Sequence, residues 1–486
     1  MDSFNFFTIS NFGVVLYLVN IVIAVTIIFL ERRDPHSILA WIMILFLVPA
    51  VGMVFYFLFS QNISRQRVFK LTKSEELVMN HSLQLQIEQT QNHGFPYVNR
   101  EVSKWKDMVR LHQRYSKSLL TEDNRMSIIT DGRHMLESML IDIDRALKTI
   151  NVEYYIIKND DTGRMLLRAL TEKAAEGVEV RLLIDSVGGR QFNTNHMSEY
   201  IAAGGRFAFF FPPKFKIFSL RWNYRNHRKL VIIDNRIGYI GGFNIGNEYL
   251  GMDTKFGYWR DTHLRVQGSC VHDMNVRFNR DWRIASKENL SIYSPYTELS
   301  EKVGETAIQI VASGPDTFRE EVKHGYLKMI SAAKRNIFIQ TPYFVPDASI
   351  MDSLKTAALS GLDVRIMIPR MPDHMFVYWA TYSYVGELLN AGAKIYIYDN
   401  GFLHAKTISV DGEVASIGSA NFDIRSFRLN FELNAFIYNA DEAFKLEAIF
   451  NEDMTQSHEL TEALYKKRSL IIKFKEGISR LLSSLL

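Results

Sequence analysis

The chain has 486 residues, 47% of them hydrophobic, which is enough for more than one domain with a core of its own and too apolar for a disordered polymer. Its 57 Lys and Arg nearly balance 53 Asp and Glu, and the formal charge of +4 excludes the basic excess of a general nucleic-acid binder. A single cysteine, Cys270, excludes an intrachain disulfide and a zinc site built on several thiolates.

No residue from Ser3 to Leu30 is charged, and beyond the polar stretch Glu31 to Ser37 a second uncharged run extends from Ile38 to Phe59. About 20 helical residues cross a hydrocarbon core of roughly 30 Å. The two runs therefore predict a transmembrane hairpin within residues 1–60, with spans over about 10–30 and 38–59. Met1 to Ser10 lacks the basic start of a cleaved signal peptide. Arg65, Arg67, Lys70 and Lys73 follow the second run, against Arg32 and Arg33 in the connection, so the positive-inside rule places both chain ends in the cytoplasm.

Residues 61–124 are polar and predict a helical linker. From there strands and helices alternate: a strand over Ile150 to Ile157, a helix over Arg164 to Ala175, a strand over Val178 to Asp185 and a helix over Met197 to Ala203. Such alternation implies α/β layers. The order then repeats. "INVEYYIIKNDDTGRMLLRALTEKAAEGVEVRLLID" aligns with "NIFIQTPYFVPDASIMDSLKTAALSGLDVRIMIP", and "AAGGRFAFFF" with "NAGAKIYIYD". This predicts a duplicated unit, with one domain over 125–290 and another over 300–457. The first copy carries an insertion containing Phe215 to Trp222, read as an interfacial wedge reaching from Phe211 to Asn226. In residues 458–486, Ile471, Phe474, Ile478, Leu481, Leu482 and Leu485 form an apolar helical stripe among Lys466, Lys467, Lys473 and Arg480, which predicts an amphipathic tail for anionic lipid.

One motif is written twice. His227, Lys229, Asp234, Gly241 and Asn244 recur at the same spacing as His404, Lys406, Asp411, Gly418 and Asn421. Side chains alternate along a strand, so the imidazole and ammonium of each copy share a face. The small residues that follow let the backbone approach an anion, and each Asn adds a donor. Lys229, Asn244, Lys406, Ser419 and Asn421 are accordingly the expected phosphate-binding residues. With two histidines, one attacks phosphorus and the other protonates the leaving alkoxide, through a covalent phosphohistidine. The cations take the place of metal ions, and neither metal nor cofactor is expected. Asp261 and Glu432, each on a strand after its motif, are the expected histidine-orienting carboxylates. Asp234 and Asp411 read as braces at strand ends.

These paired motifs, with "TPYFVPD", "SGP", "NFDIRSFRLNFE" and the N-terminal hairpin, resemble the bacterial cardiolipin synthases of the phospholipase D superfamily. The resemblance implies two α/β/α sandwich domains facing one central site. It implies transfer of a phosphatidyl group from one phosphatidylglycerol to another, giving cardiolipin and glycerol, by an enzyme of the bacterial inner membrane with cytoplasmic catalytic domains. The His, Lys and Asp of both motifs would be its catalytic signature, with His227 as nucleophile and His404 as general acid and base. Phosphatidylserine synthesis or hydrolysis would use the same histidines. A nuclease would not require the hairpin, and a silent lipid-binding scaffold would not require two intact motifs.

Overall fold

A computed structural model describes residues 13–26, 35–59, 72–91, 97–192, 197–212, 223–288, 290, 302–317 and 319–483. Its frame is one 15-stranded sheet that runs through both copies of the repeat. In each copy the outer strands are parallel: Thr149–Tyr154, Glu179–Asp185 and Arg206–Phe210 in the first, and Asn336–Gln340, Asp363–Pro369 and Lys394–Tyr398 in the second. The motif strands Lys229–Ile233 and Thr407–Val410 lie antiparallel to them, and each continues into an antiparallel partner, Ile237–Gly241 or Val414–Gly418. The motif strands are buried on both faces, and the first accordingly reads Leu-Val-Ile-Ile after its lysine. The helices alternate faces instead. Asp161–Ala175 buries Leu166, Leu170 and Ala174 at helical spacing, and its N-terminus is capped by Asp160, whose Oδ1 accepts from Gly163 N at 3.0 Å.

The copies join edge to edge. Thr121–Ile129 pairs antiparallel with Thr306–Ser313, and the buried side chain of Asn124 bridges the seam by donating to Thr306 O at 2.9 Å. A shared core beneath the seam contains Met126, Leu264 and Phe278 from one half and Ile308, Ile417 and Leu433 from the other.

Three expectations meet a different structure. The strand Thr121–Ile129 runs across the expected boundary at 125. Part of the expected linker is core, since Val102, Trp105, Met108 and Val109 pack among the residues of the second copy. Finally, among the described residues no helix is long and apolar enough to cross a membrane. The second apolar run is two helices, Pro35–Leu47 and Pro49–Phe59, because Pro49 has no N–H to continue the ladder. They lie beside the helix over 13–26, with Asn20 Nδ2 donating to Pro49 O at 3.4 Å and the Tyr17 and Phe46 rings 5.9 Å apart. The proposed wedge residues 213–222, Arg32, Arg33, Arg65, Arg67, Lys70 and Leu485 lie outside the described residues.

Candidate active site

Each motif histidine sits two residues before its Lys, at the end of the motif strand, where backbone pairing crosses from one copy to the other. Asn226 bridges in parallel to Phe431, and His227 N donates to Phe431 O at 2.9 Å. Reciprocally, Phe402–Leu403 pairs with Trp259–Arg260, and His404 N donates to Arg260 O at 2.7 Å. Phe431 and Arg260 immediately precede Glu432 and Asp261. The ladders therefore deliver each carboxylate to the histidine of the other copy: His227 Nδ1 lies 3.0 Å from Glu432 Oε1, and His404 Nδ1 lies 2.6 Å from Asp261 Oδ2. The sequence reading paired histidine and carboxylate by type; the exchange between copies was not in it.

His227 and His404 line one cavity of about 580 Å³, together with Asn244 and Asn421. The Tyr155 ring stands 5.0 Å from His227 and the Trp259 ring 5.2 Å from His404, fixing the imidazole planes. Asn244 Oδ1 accepts from Ile156 N at 3.2 Å, whereas Asn421 Oδ1 is buried without a partner in the protein.

Both lysines are fully buried. Lys229 Nζ donates to His227 O at 2.6 Å, and Lys406 Nζ lies 2.7 Å from His404 Nδ1 and also donates to His404 O. They are cations behind the histidines rather than walls of the cavity. Burial lowers Lys229 to about 7 and Lys406 to about 8, against the pull of the two carboxylates. Burial likewise depresses His227, and with Lys406 it brings His404 down to about 4, which favours the neutral imidazole at both positions. Glu432 and Asp261 are lowered as well, but by their neighbours and not by burial. Burial alone would raise them, but His227 and Lys229 beside the first, and Lys406 and His404 beside the second, outweigh it and hold both ionised.

One expected role changes, and one expected pair of braces is found. The hydroxyl of Ser419, expected on phosphate, instead donates to Glu432 Oε2 at 2.5 Å and accepts from Leu433 N at 3.0 Å, so it steadies the carboxylate. In the first copy the corresponding space belongs to the carboxylate itself: a Cβ on Gly242 would fall 1.9 Å from Asp261 Oδ1. Asp234 and Asp411, grouped with the catalytic signature by resemblance, stand at the far ends of the motif strands. Asp234 accepts from Leu147, Lys148 and Thr149 N at 2.7–2.8 Å, and Asp411 from Lys334, Arg335 and Asn336 N at 2.7–2.9 Å. Seven residues of nearly extended chain, about 23 Å, separate each from its histidine. They brace loops and do not touch the cavity.

Other cavity residues escaped the sequence reading. Arg225 forms a buried ion pair with Asp185 at 3.2 Å, Asn430 Nδ2 donates to Glu432 Oε1 at 3.2 Å, and Tyr343 donates to Asp373. Asp423, raised to about 6 by burial, caps Ser426 N at 2.6 Å. The available signal was position: Asp185 ends a parallel strand, and ligands of open α/β sheets bind beyond such carboxyl ends. Among the described residues no group of three or more His, Cys, Asp or Glu is placed to hold a metal ion.

A family model described as "Cardiolipin synthase, PLD-like domain" matches residues 139–282 and 326–454, and one described as "Phospholipase_D-nuclease N-terminal" matches residues 18–61. The chain is 49% identical over 472 residues to the major cardiolipin synthase ClsA of Bacillus subtilis (strain 168), covering 97% of this chain and 98% of that one. It is 48% identical over 474 residues to a cardiolipin synthase of Listeria welshimeri, with the same coverage, and 47% identical over 471 residues to cardiolipin synthase 2 of Staphylococcus epidermidis, covering 97% and 96%. The crystal structure of a phosphatidylserine synthase from Haemophilus influenzae Rd KW20 shares the fold, with a TM-score of 0.60 at 15% identity over 78% of this chain and 96% of that one. The duplicated domain covers more than half of the sequence and the relatives span nearly all of it, and the chain belongs to the cardiolipin synthase family of the phospholipase D superfamily.

Proposed function

We propose that the chain catalyses phosphatidyl transfer between two phosphatidylglycerol molecules, giving cardiolipin and glycerol. The observation that carries this reading is the pair of imidazoles in one cavity, each with Nδ1 on a carboxylate from the opposite copy. With Nδ1–H held in this way, Nε2 is the nucleophilic or proton-carrying atom. His227 Nε2 attacks phosphorus; the P–O bond to the headgroup glycerol breaks, and that oxygen takes a proton from His404 Nε2. His404, now neutral, removes a proton from a glycerol hydroxyl of the second lipid. The resulting oxygen attacks the phosphohistidine, the P–N bond breaks, and His227 is restored. The arriving phosphodiester anion supplies the charge that keeps Lys229 and Lys406 protonated and raises both imidazoles, one of which must carry a proton for the first step.

The N-terminal helices fit the same reading. Val14, Leu18, Val22, Leu39, Leu47 and Val51 are each about half or more exposed, an apolar surface that a hydrocarbon phase would cover. We place it in the bilayer as a hairpin kinked at Pro49, with the catalytic domains on the cytoplasmic side. Resistance of the chain to carbonate extraction, lost on deletion of residues 1–60, is the expected result.

The deciding assay gives purified, chelator-treated protein labelled phosphatidylglycerol as its only lipid. Cardiolipin with equimolar glycerol is expected, and His227→Ala and His404→Ala are each expected to abolish it. Phosphatidic acid as the product would make the protein a hydrolase, and activity retained in either variant would remove the two-histidine mechanism. Mass spectrometry of the acid-sensitive adduct is expected to locate the phosphatidyl group on His227; finding it on His404 would reverse the two roles.

A further inference from the structure

The final helix, Leu470–Ser483, is packed inside out. It buries Glu476, Ser479 and Ser483, which are 5%, 2% and 2% exposed, and turns outward Leu470, Ile471, Phe474 and Leu481, which are 68–82% exposed. A helix lying on a globular domain does the opposite. Its orientation is fixed by specific contacts on the inward side: Ser483 Oγ lies 3.1 Å from Tyr384 OH, Glu476 pairs with Arg468 at 3.1 Å, and the Arg480 guanidinium stacks 4.6 Å from the Tyr384 ring. On the underlying helix, Met375–Asn390, Met375 is 53% and Phe376 51% exposed, beside His374 and Val377, which line the same cavity as Ser483.

This ridge borders the cavity, since His374, Val377 and Ser483 all line it. It is also charged for an anionic partner. Between Lys466 and Arg480 there are six basic residues and one acidic one, and Lys467, Lys473 and Lys475 are exposed.

We propose that the outward face of Leu470–Ser483, together with Met375 and Phe376, is a docking surface for the headgroup region of an anionic bilayer, and that it seats the mouth of the cavity against the membrane. Apolar side chains flanked by lysines are the chemistry of interfacial helices, which gain from acyl burial and from attraction to acidic headgroups together. The ridge supplies the cavity with lipid that need not leave the bilayer. Only that last consequence rests on the phosphatidyl-transfer reading; the docking is tested separately from it.

The test uses the full chain reconstituted in phosphatidylglycerol–phosphatidylcholine vesicles. Phe474→Cys is labelled with an environment-sensitive fluorophore, Cys270 being buried. Leu147→Cys serves as the reference, at an 82% exposed position beside Asp234 and thus at the far end of the motif strands. Lipid brominated in its acyl chains is expected to quench the label at position 474 several-fold more strongly than at position 147. Equal quenching at the two sites would overturn the proposal, and so would a blue shift at 474 that lipid bromine leaves unquenched, which would assign the ridge to a second copy of the protein. In a second measurement, Ile471→Ser, Phe474→Ser and Leu481→Ser combined are expected to slow turnover of vesicle phosphatidylglycerol by about tenfold or more while leaving turnover in detergent micelles within about twofold. Equal loss in both lipid forms would assign the helix to the integrity of the domain instead. If the unaltered protein makes no cardiolipin in either form, the catalytic reading fails while the quenching still decides the docking.

Discussion

His227 Nδ1 and Glu432 Oε1 stand 3.0 Å apart although 205 positions and the boundary between the two copies separate them. Asp261 makes the reciprocal contact with His404 across 143 positions. Each carboxylate fixes the tautomer of an imidazole and stabilises its cation when it takes a proton. Glu432→Gln and Asp261→Asn are therefore each expected to lower the transfer rate by roughly 10²–10⁴-fold, the usual worth of a positioned acid or base. Turnover of labelled phosphatidylglycerol checks this, and near-normal rates in either variant would remove the crossed pairing from the mechanism.

Gly242 and Ser419 occupy equivalent places and tolerate opposite changes. Adding a methyl group at Gly242 puts it on Asp261 Oδ1, so Gly242→Ala is expected to displace the carboxylate and cost about as much activity as Asp261→Asn. Removing the hydroxyl in Ser419→Ala takes one hydrogen bond from Glu432, which Asn430 and His227 still hold, and a loss of only about tenfold is expected. Steady-state rates for the two alanine variants give the comparison, and a larger loss at Ser419 would contradict it.

Asp234 and Asp411 are expected to matter for stability rather than chemistry. Each accepts three backbone N–H groups, and each has a positive φ, 52° and 56°, a conformation that Asn shares more readily than Ala. Asp234→Ala is expected to lower unfolding free energy by about 1–3 kcal/mol and Asp234→Asn by less. Activity per folded molecule stays within about twofold for both. Thermal denaturation paired with turnover per folded molecule measures both quantities.

Buried neutral histidines make the fold sensitive to acid. Burial lowers His112 and His263 to about 3, and burial with Lys406 lowers His404 to about 4. All three lie below the unfolded value of about 6.5, so between those limits the unfolded chain binds more protons. Their contribution is complete above about pH 6.5 and is lost as pH falls toward 4 and 3. The melting temperature is expected to drop steadily over that window. His112→Leu, which also removes a buried Nε2 without a partner, is expected to flatten the slope by up to about 1.4 kcal/mol per pH unit. An unchanged slope would mean that His112 is already protonated in the fold.

Several of these features were legible in the residues. His227 and His404 announce themselves because an invariant spacing is repeated within a duplicated unit, and the buried strand Lys229–Ile233 because four aliphatic residues run unbroken through it. The exchange of Glu432 and Asp261 was hidden, since it depends on the bridges Asn226 to Phe431 and Phe402 to Trp259, which join segments with no local pattern in common. Asp234 was legible as a brace, because strand geometry carries it to the far end of the motif strand from His227. Met108 and Val109 were concealed in a polar stretch whose apolar positions serve a core nearly 200 residues away, against Ala307 and Val311. At the C-terminus the stripe and the lysines about it were legible as an outward amphipathic face, but the contacts that hold the helix, Ser483 with Tyr384 and Glu476 with Arg468, carry no pattern in the sequence.

The seam between Thr121–Ile129 and Thr306–Ser313 bears on how such an enzyme is made. During synthesis the N-terminal copy leaves the ribosome with His227 and Lys229 in hand, but the glutamate that orients His227 is still untranslated. A nascent half holds one histidine of the pair and lacks both Glu432 and His404. The paired site is therefore complete only when the polypeptide is, because each histidine waits for a carboxylate from the other copy.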